Sequence, residues 1–317
     1  MVMRLIINAD DFGMSTNINR EIIRLMSEKK ISSTTLISNG PSIEGALEFA
    51  SSSLEKGGFG LHLNFTEFFA YSKKISLNLK YCDNDGILRS ANCIPGSLSI
   101  FDYKSVLEEW TSQYEAVLKR GVSISHIDSH HFFHTKPHNF LALKMFAAQT
   151  GIRWIRNAYN LHLIQRKSMK FISIGYLYRL IWSSALKYLP PFNKTTNYFG
   201  PVMDFYNLSR ISDCSFMKNS IVELMCHPGH WDRFCRSRHV ASEGSPVGPG
   251  LRAGLVCQRL RAGPGPVLRR VQHRQGELGA DRQGARVGAD ADLARRGGCV
   301  AVDAVLRAAG LRGAAAT

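Results

Sequence analysis

Up to about residue 240 the chain alternates short apolar, strand-like runs with longer segments of helical periodicity, and that alternation leaves few folds open. Strand candidates are residues 5–9, 33–38, 59–64, 123–129, 152–156 and 221–226. Helix candidates are residues 18–28, 42–53, 103–120 and 139–150. The first has Ser15, Thr16 and Asn17 ahead of it as caps, with Ile18, Ile22, Ile23 and Met26 at helical spacing. Strands and helices in turn imply parallel strands joined by right-handed crossovers. The expected class is α/β: a TIM-like (β/α) barrel, with its site at the carboxyl ends of the strands.

Four polar segments fall at such strand ends: Asn8-Ala9-Asp10-Asp11-Phe12-Gly13, Gly60-Leu61-His62-Leu63-Asn64, His126-Ile127-Asp128-Ser129-His130-His131 and Glu223-Leu224-Met225-Cys226-His227-Pro228-Gly229. Carboxylates and imidazoles gathered there can hold one divalent cation and place a general acid and a general base beside it. The pattern points to a metal-dependent hydrolase. The two-residue strand period puts His126, Asp128 and His130 on one face. His130, nearest the end, is the best ligand; Asp128 and His126, deeper, suit the orienting of ligands, and His131 and His134 stand in reserve. Adjacent residues on a strand point opposite ways, so Asp10 and Asp11 serve one site only if the chain turns there, which Phe12-Gly13 permits. One carboxylate would then bind metal and the other move a proton. His62 completes an Asp/His/His set. His227 shares a face with Met225 and Glu223 and stands at the rim, placed to donate a proton.

Bulk properties exclude other classes. At 44% hydrophobic and 21% charged, the 317-residue chain is globular and can bury a core. A formal charge of +15 invites nucleic acid, but it is spread over unrelated stretches with no recognised binding motif, so no nucleic-acid partner is expected. Seven cysteines, an odd number without a CxxC pair, argue against a disulfide framework and a cysteine zinc knuckle. The chain opens directly on a strand, with no apolar leader, so the cytoplasm is the expected compartment. Residues 171–189 are apolar but interrupted by Arg179 and Lys187, too short a run for a transmembrane span. They read as a buried or lid-forming helix, or as an interfacial one docking on lipid or on a second subunit, as in a homodimer.

Residues 241–317 are different text: no Phe, Tyr, Trp, Ile, Met, Lys or Asn occurs there. Folding selection seldom removes seven residue types together, whereas a frameshift, a fusion or a misassembled gene does. The expected division is therefore a barrel over residues 1–240 and a Gly/Ala/Arg-rich tail over 241–317, disordered or foreign in origin.

Taken in order, NADDFG, GLHLN, HIDSHH followed by His134, and ELMCHPG resemble the YdjC-like carbohydrate deacetylases, the group that holds chitooligosaccharide deacetylase. The likeness covers about residues 3–232. It implies a deformed (β/α) barrel and metal-dependent removal of an acetyl group from an N-acetylated sugar or oligosaccharide. It places the metal ligands on Asp11, His62 and His130, the catalytic base on Asp10 and the acid-side histidine on His227, with one Mg2+ or Zn2+ ion as cofactor. Two departures stand out. Phe132 occupies a position where a histidine is usual, so His131 compensates only if the backbone shifts. The family also continues past HPG into elements that close the barrel, where this chain begins its tail, so the barrel is expected to be incomplete at its C-terminal end.

Two rival readings remain. Metal-assisted phosphoester hydrolysis would want a cationic clamp, for which Arg156 is best placed if it is not simply a solvated charge closing its strand. A degenerate, non-catalytic glycan-binding barrel would fold without metal.

Overall fold

A computed structural model describes residues 3–53, 58–91, 98–161, 174–205, 217 and 219–229. Seven strands form one parallel sheet in the order β5-β4-β3-β2-β1-β7-β6: β1 (Arg4–Phe12), β2 (Ser33–Leu36), β3 (Phe59–Leu63), β4 (His126–Ser129), β5 (Trp154–Ile155), β6 (Tyr198–Pro201) and β7 (Ile221–Cys226). The helices between them are α1 (Thr16–Ser27), α2 (Ile43–Ser52), α3 (Lys73–Ser76), α4 (Tyr103–Leu118), α5 (Phe140–Thr150) and α6 (Ile174–Tyr188). The sheet curls into a half-barrel of the TIM-like α/β class. Chain beside its two edges is stitched together: Ile155 N donates to Lys194 O, Lys194 N to Arg153 O, and Asn160 N and Leu161 N both donate to Phe199 O.

Most expected elements form within a few residues of their expected bounds. Ser15 caps α1, its Oγ accepting from Ile18 N. Gly151, in the left-handed region, ends α5. Two elements carry no clear sequence signal, β6 and the one-turn α3. The lid-like run appears as α6 over its described part; residues 171–173 and the tail 241–317 lie outside the described residues. Among the described residues no helix is long and apolar enough to cross a membrane.

The strand period sorts side chains onto two faces. Ile7 and Ala9, Leu36, Phe59, Leu61 and Leu63, Ile127, Ile155, and Val222 and Leu224 pack outward against the helices with Ile22, Leu25, Val106, Trp110, Leu143 and Phe146. The inner face is polar: Asn8, Asp10, Ser33, Thr35, His62, Asp128, Arg156 and Glu223 are all buried. Buried polar groups need hydrogen-bond partners to be stable, and each of these eight side chains has one.

Candidate active site and metal centre

The lowest layer of the interior is a hydrogen-bonded floor. His126 Nε2 lies 3.2 Å from Ser33 Oγ and 3.3 Å from Asn8 Oδ1, and its Nδ1 is 2.9 Å from Ser125 Oγ. The ring sits over Gly60, where a Cβ would come within 2.5–2.7 Å of it. Burial lowers the His126 pKa to about 4, so the imidazole is neutral. It touches none of the expected ligands directly and reaches the site only through Asn8, which donates to Asp10 Oδ1 at 2.8 Å.

Above the floor, Arg156 gathers three carboxylates. Its Nη1 and Nη2 donate to Asp10 Oδ2 and Oδ1 at 2.7 and 2.8 Å, and its Nε to Glu223 Oε1 at 2.6 Å. Nη1 also lies 2.6 Å from Asp128 Oδ2. At 3% exposed, Arg156 is neither a solvated strand end nor a clamp open to phosphate. Burial opposes its charge, but Asp10, Asp128 and Glu223 hold its pKa well above the ordinary value. Burial pushes the Glu223 pKa up, whereas for Asp128 the Arg156 and His62 charges overcome burial and hold it down. The guanidinium stacks 4.8 Å from the Phe199 ring, and Phe132 packs edge-on against that ring. The Phe132 phenyl group thus helps wall the arginine.

At the strand ends the third layer converges. β1 pairs regularly with β2 through Ala9, and then its register shifts before Phe12. Asp11 sits in that bulge with φ 68°, a left-handed conformation that aspartate tolerates better than most residues. The bulge is the turn that lets both adjacent aspartates approach His62. Asp11 Oδ1 lies 3.2 Å from His62 Nε2 and 3.0 Å from His130 Nδ1. Neither approach has hydrogen-bond direction: Asp11 Oδ1 is buried with no hydrogen-bond partner, as is His130 Nε2. His62 is fixed from behind, its Nδ1 2.7 Å from Asp128 Oδ1, which in turn accepts from Thr35 Oγ1 at its other oxygen. His227 Nε2 stands at the rim, 3.8 Å from Asp11 Oδ2.

This donor set fits a cation. Ligands about 2.1 Å from a shared ion lie about 3.0 Å apart at octahedral and about 3.4 Å apart at tetrahedral angles. The observed 3.2 and 3.0 Å match those edges, and the atoms of Asp11, His62 and His130 all lie within 4.8 Å of one another. The backing of His62 by Asp128 is what orients an imidazole ligand. Without a cation the carboxylates draw protons instead: against burial, Asp128 and Asp11 raise His62 to about 10, and Asp11 raises His130 to about 9. Burial would raise the Asp11 pKa, but His130 and His62 hold it well below its usual range.

The remaining histidines divide. His131 and Phe132 both adopt left-handed backbone, φ 53° and 52°, in the turn that follows β4. It brings the His131 ring 4.0 Å from that of His130, with Nδ1 2.9 Å from Thr66 Oγ1. His134 is buried elsewhere, tied to Ser129 Oγ at 2.6 Å and to Arg156 O at 3.3 Å. It braces the turn without reaching the ligands. Sequence reasoning missed Glu67, whose Oε2 is 3.4 Å from His130 Nε2; it lies beyond the strand and carries no motif.

Comparison with known proteins agrees with this architecture. Residues 4–252 match the family described as YdjC-like protein. A carbohydrate deacetylase of Clostridium beijerinckii is 32% identical over 238 residues, 73% of this chain and 83% of the relative. Carbohydrate deacetylase 1 of Listeria innocua is 27% identical over 234 residues, 74% of this chain and 84% of that one. A crystal structure of a protein described as a cellobiose-phosphate cleavage protein, from Enterococcus faecalis, superposes with a TM-score of 0.57 at 22% identity, covering 75% of this chain and 85% of the other. With most of its described length inside that match, the chain belongs to the YdjC-like family.

Proposed function

We propose that this protein is a metal-dependent carbohydrate N-deacetylase, hydrolysing the acetamide of an N-acetylated sugar or oligosaccharide. The observation that carries the reading is the convergence of Asp11, His62 and His130, with a second carboxylate, Asp10, also beside His62, all of them buried. In this reading Asp11, His62 and His130 hold one divalent cation, and two nitrogen donors with one carboxylate favour Zn2+ over Mg2+. The bound ion supplies Lewis acidity to the acetamide carbonyl and to the attacking water.

Asp10 is the general base. A carboxylate offers about four lone-pair directions; Arg156 and Asn8 fill three, which leaves one for a water proton and fixes the group's orientation. His227, at the rim and partly exposed, donates a proton to the leaving sugar nitrogen. The N–C bond breaks as the water oxygen bonds to the acyl carbon, giving acetate and a free amine. Phosphoester hydrolysis is the weaker reading, because Arg156 is committed to three carboxylates and presents no clamp.

The decisive variant is Asp10→Asn. It should bind metal with the parent's stoichiometry yet lose about a hundredfold or more of its acetate release from N-acetylated chitooligosaccharides. Retained turnover would remove the base assignment, and release of phosphate but not acetate from test esters and amides would remove the class.

A further inference from the structure

Helices around a half-barrel bury one face and offer water a polar one, but α6 does not. Its buried side is Trp182 and Leu186. Its solvent side is also apolar: Ile174, Leu177, Leu180 and Ile181 are 89%, 51%, 47% and 58% exposed, and Tyr188, Leu189 and Phe192 extend the stripe. Helical spacing places Ile174, Leu177, Ile181 and Tyr188 on one line. The sequence on either side of this stripe is one-signed: from Ser129 to Met203 the chain carries ten lysines and arginines and not one aspartate or glutamate. Lys144 and Arg156 are buried, but Lys136, Arg153, Arg179, Lys187 and Lys194 reach solvent. Lys187 flanks the stripe on α6 itself, and the exposed Lys136 adjoins Thr135, which Tyr178 of α6 contacts.

We propose that α6 is a docking surface for an anionic membrane, lying in the headgroup plane with its aliphatic stripe in the acyl boundary and its basic residues on the lipid phosphates. The charge selects this occupant. A second copy of the chain would bring the same basic stretch against itself, and the tail beyond residue 240 is arginine-rich as well. An aliphatic stripe within an acid-free, basic stretch of sequence matches an interfacial helix on anionic lipid, where apolar burial and phosphate attraction add. The helix also sits near the mouth of the site. The Tyr178 hydroxyl donates to the carbonyl of Thr135, in the turn that follows β4 and carries His130. A membrane-docked α6 would therefore hold the cavity entrance near the lipid surface. The inference does not depend on the deacetylase reading.

The test is cosedimentation of the full chain with large vesicles of phosphatidylcholine alone, or with about a third phosphatidylglycerol. Binding to the anionic vesicles only, weakening as salt is raised, is expected. Leu177→Glu with Ile181→Glu should lower that binding roughly tenfold or more while leaving the thermal melt unchanged, since both side chains already face solvent. Acetate release from a soluble N-acetylated sugar should be the same in parent and variant, which separates this proposal from the catalytic one. No binding to anionic vesicles, equal binding by the variant, or a parent dimer that the variant converts to monomer would each overturn it.

Discussion

Replacing Arg156 by methionine strikes the element on which the polar interior depends. The guanidinium is 3% exposed and faces Asp10 at 2.7 and 2.8 Å, Glu223 at 2.6 Å and Asp128 at 2.6 Å. Methionine keeps much of the stem but leaves three carboxylates facing one another in a dry space. Removing one partner of a buried ion pair costs about 3–5 kcal/mol, against net stabilities of about 5–15 kcal/mol. A loss in that range is expected in urea denaturation at neutral pH with metal chelated. Arg156→Lys keeps the charge but loses the two-pronged geometry, so it should fall between parent and methionine. Combining Arg156→Met with Glu223→Gln removes a carboxylate that would otherwise be stranded. The pair should therefore cost about 0.5–3 kcal/mol less than the sum of the single changes. A methionine variant within about 1 kcal/mol of the parent, or strict additivity in the pair, would refute the account of the interior as an ion cluster organised by one guanidinium.

Three further outcomes follow from the geometry. His62 and His130, raised to about 10 and about 9, carry protons at neutral pH in the metal-free protein and must lose them to become ligands. Zn2+ uptake should therefore release protons and weaken as pH falls; calorimetric heats that are identical in buffers of different ionisation enthalpy would contradict this. His134 stays neutral in the fold, its pKa lowered by burial from 6.5 to about 4. It contributes stability that is fully present above the unfolded value and lost as pH falls from about 6.5 toward 4, on the order of 3 kcal/mol; a denaturation midpoint that stays flat over that window, or falls equally in His134→Gln, would count against it. Gly60→Ala sets a methyl within 2.5–2.7 Å of the His126 ring and should cost about 1–3 kcal/mol. Parent-like stability in that variant would mean the floor yields freely.

Much of this was legible because strand periodicity is a local signal. The run from His126 to Ser129 assigns Ile127 to the core and Asp128 to the interior without any knowledge of neighbours, and both lie there. The ends of β1, β3, β4 and β7 could be read as one site because parallel strands bring their carboxyl ends together. What escaped was non-local. Nothing around Arg156 announces that curvature of the sheet carries it to Asp10, 146 positions away. The four residues of β6 include Gly200 and Pro201, which read as punctuation, and the strand forms because β7 pairs with it. The bulge in β1 was permitted by Phe12-Gly13 but not required by it.

That bulge narrows what the position of Asp11 can hold. Left-handed backbone there admits aspartate, asparagine and glycine readily and penalises most other residues, glutamate included, although glutamate carries the same donor group. The choice of side chain is thus filtered by torsion before it is filtered by chemistry. A library randomised at this one codon should recover folded protein from a handful of residues, and only aspartate among them brings an anionic oxygen into the cavity.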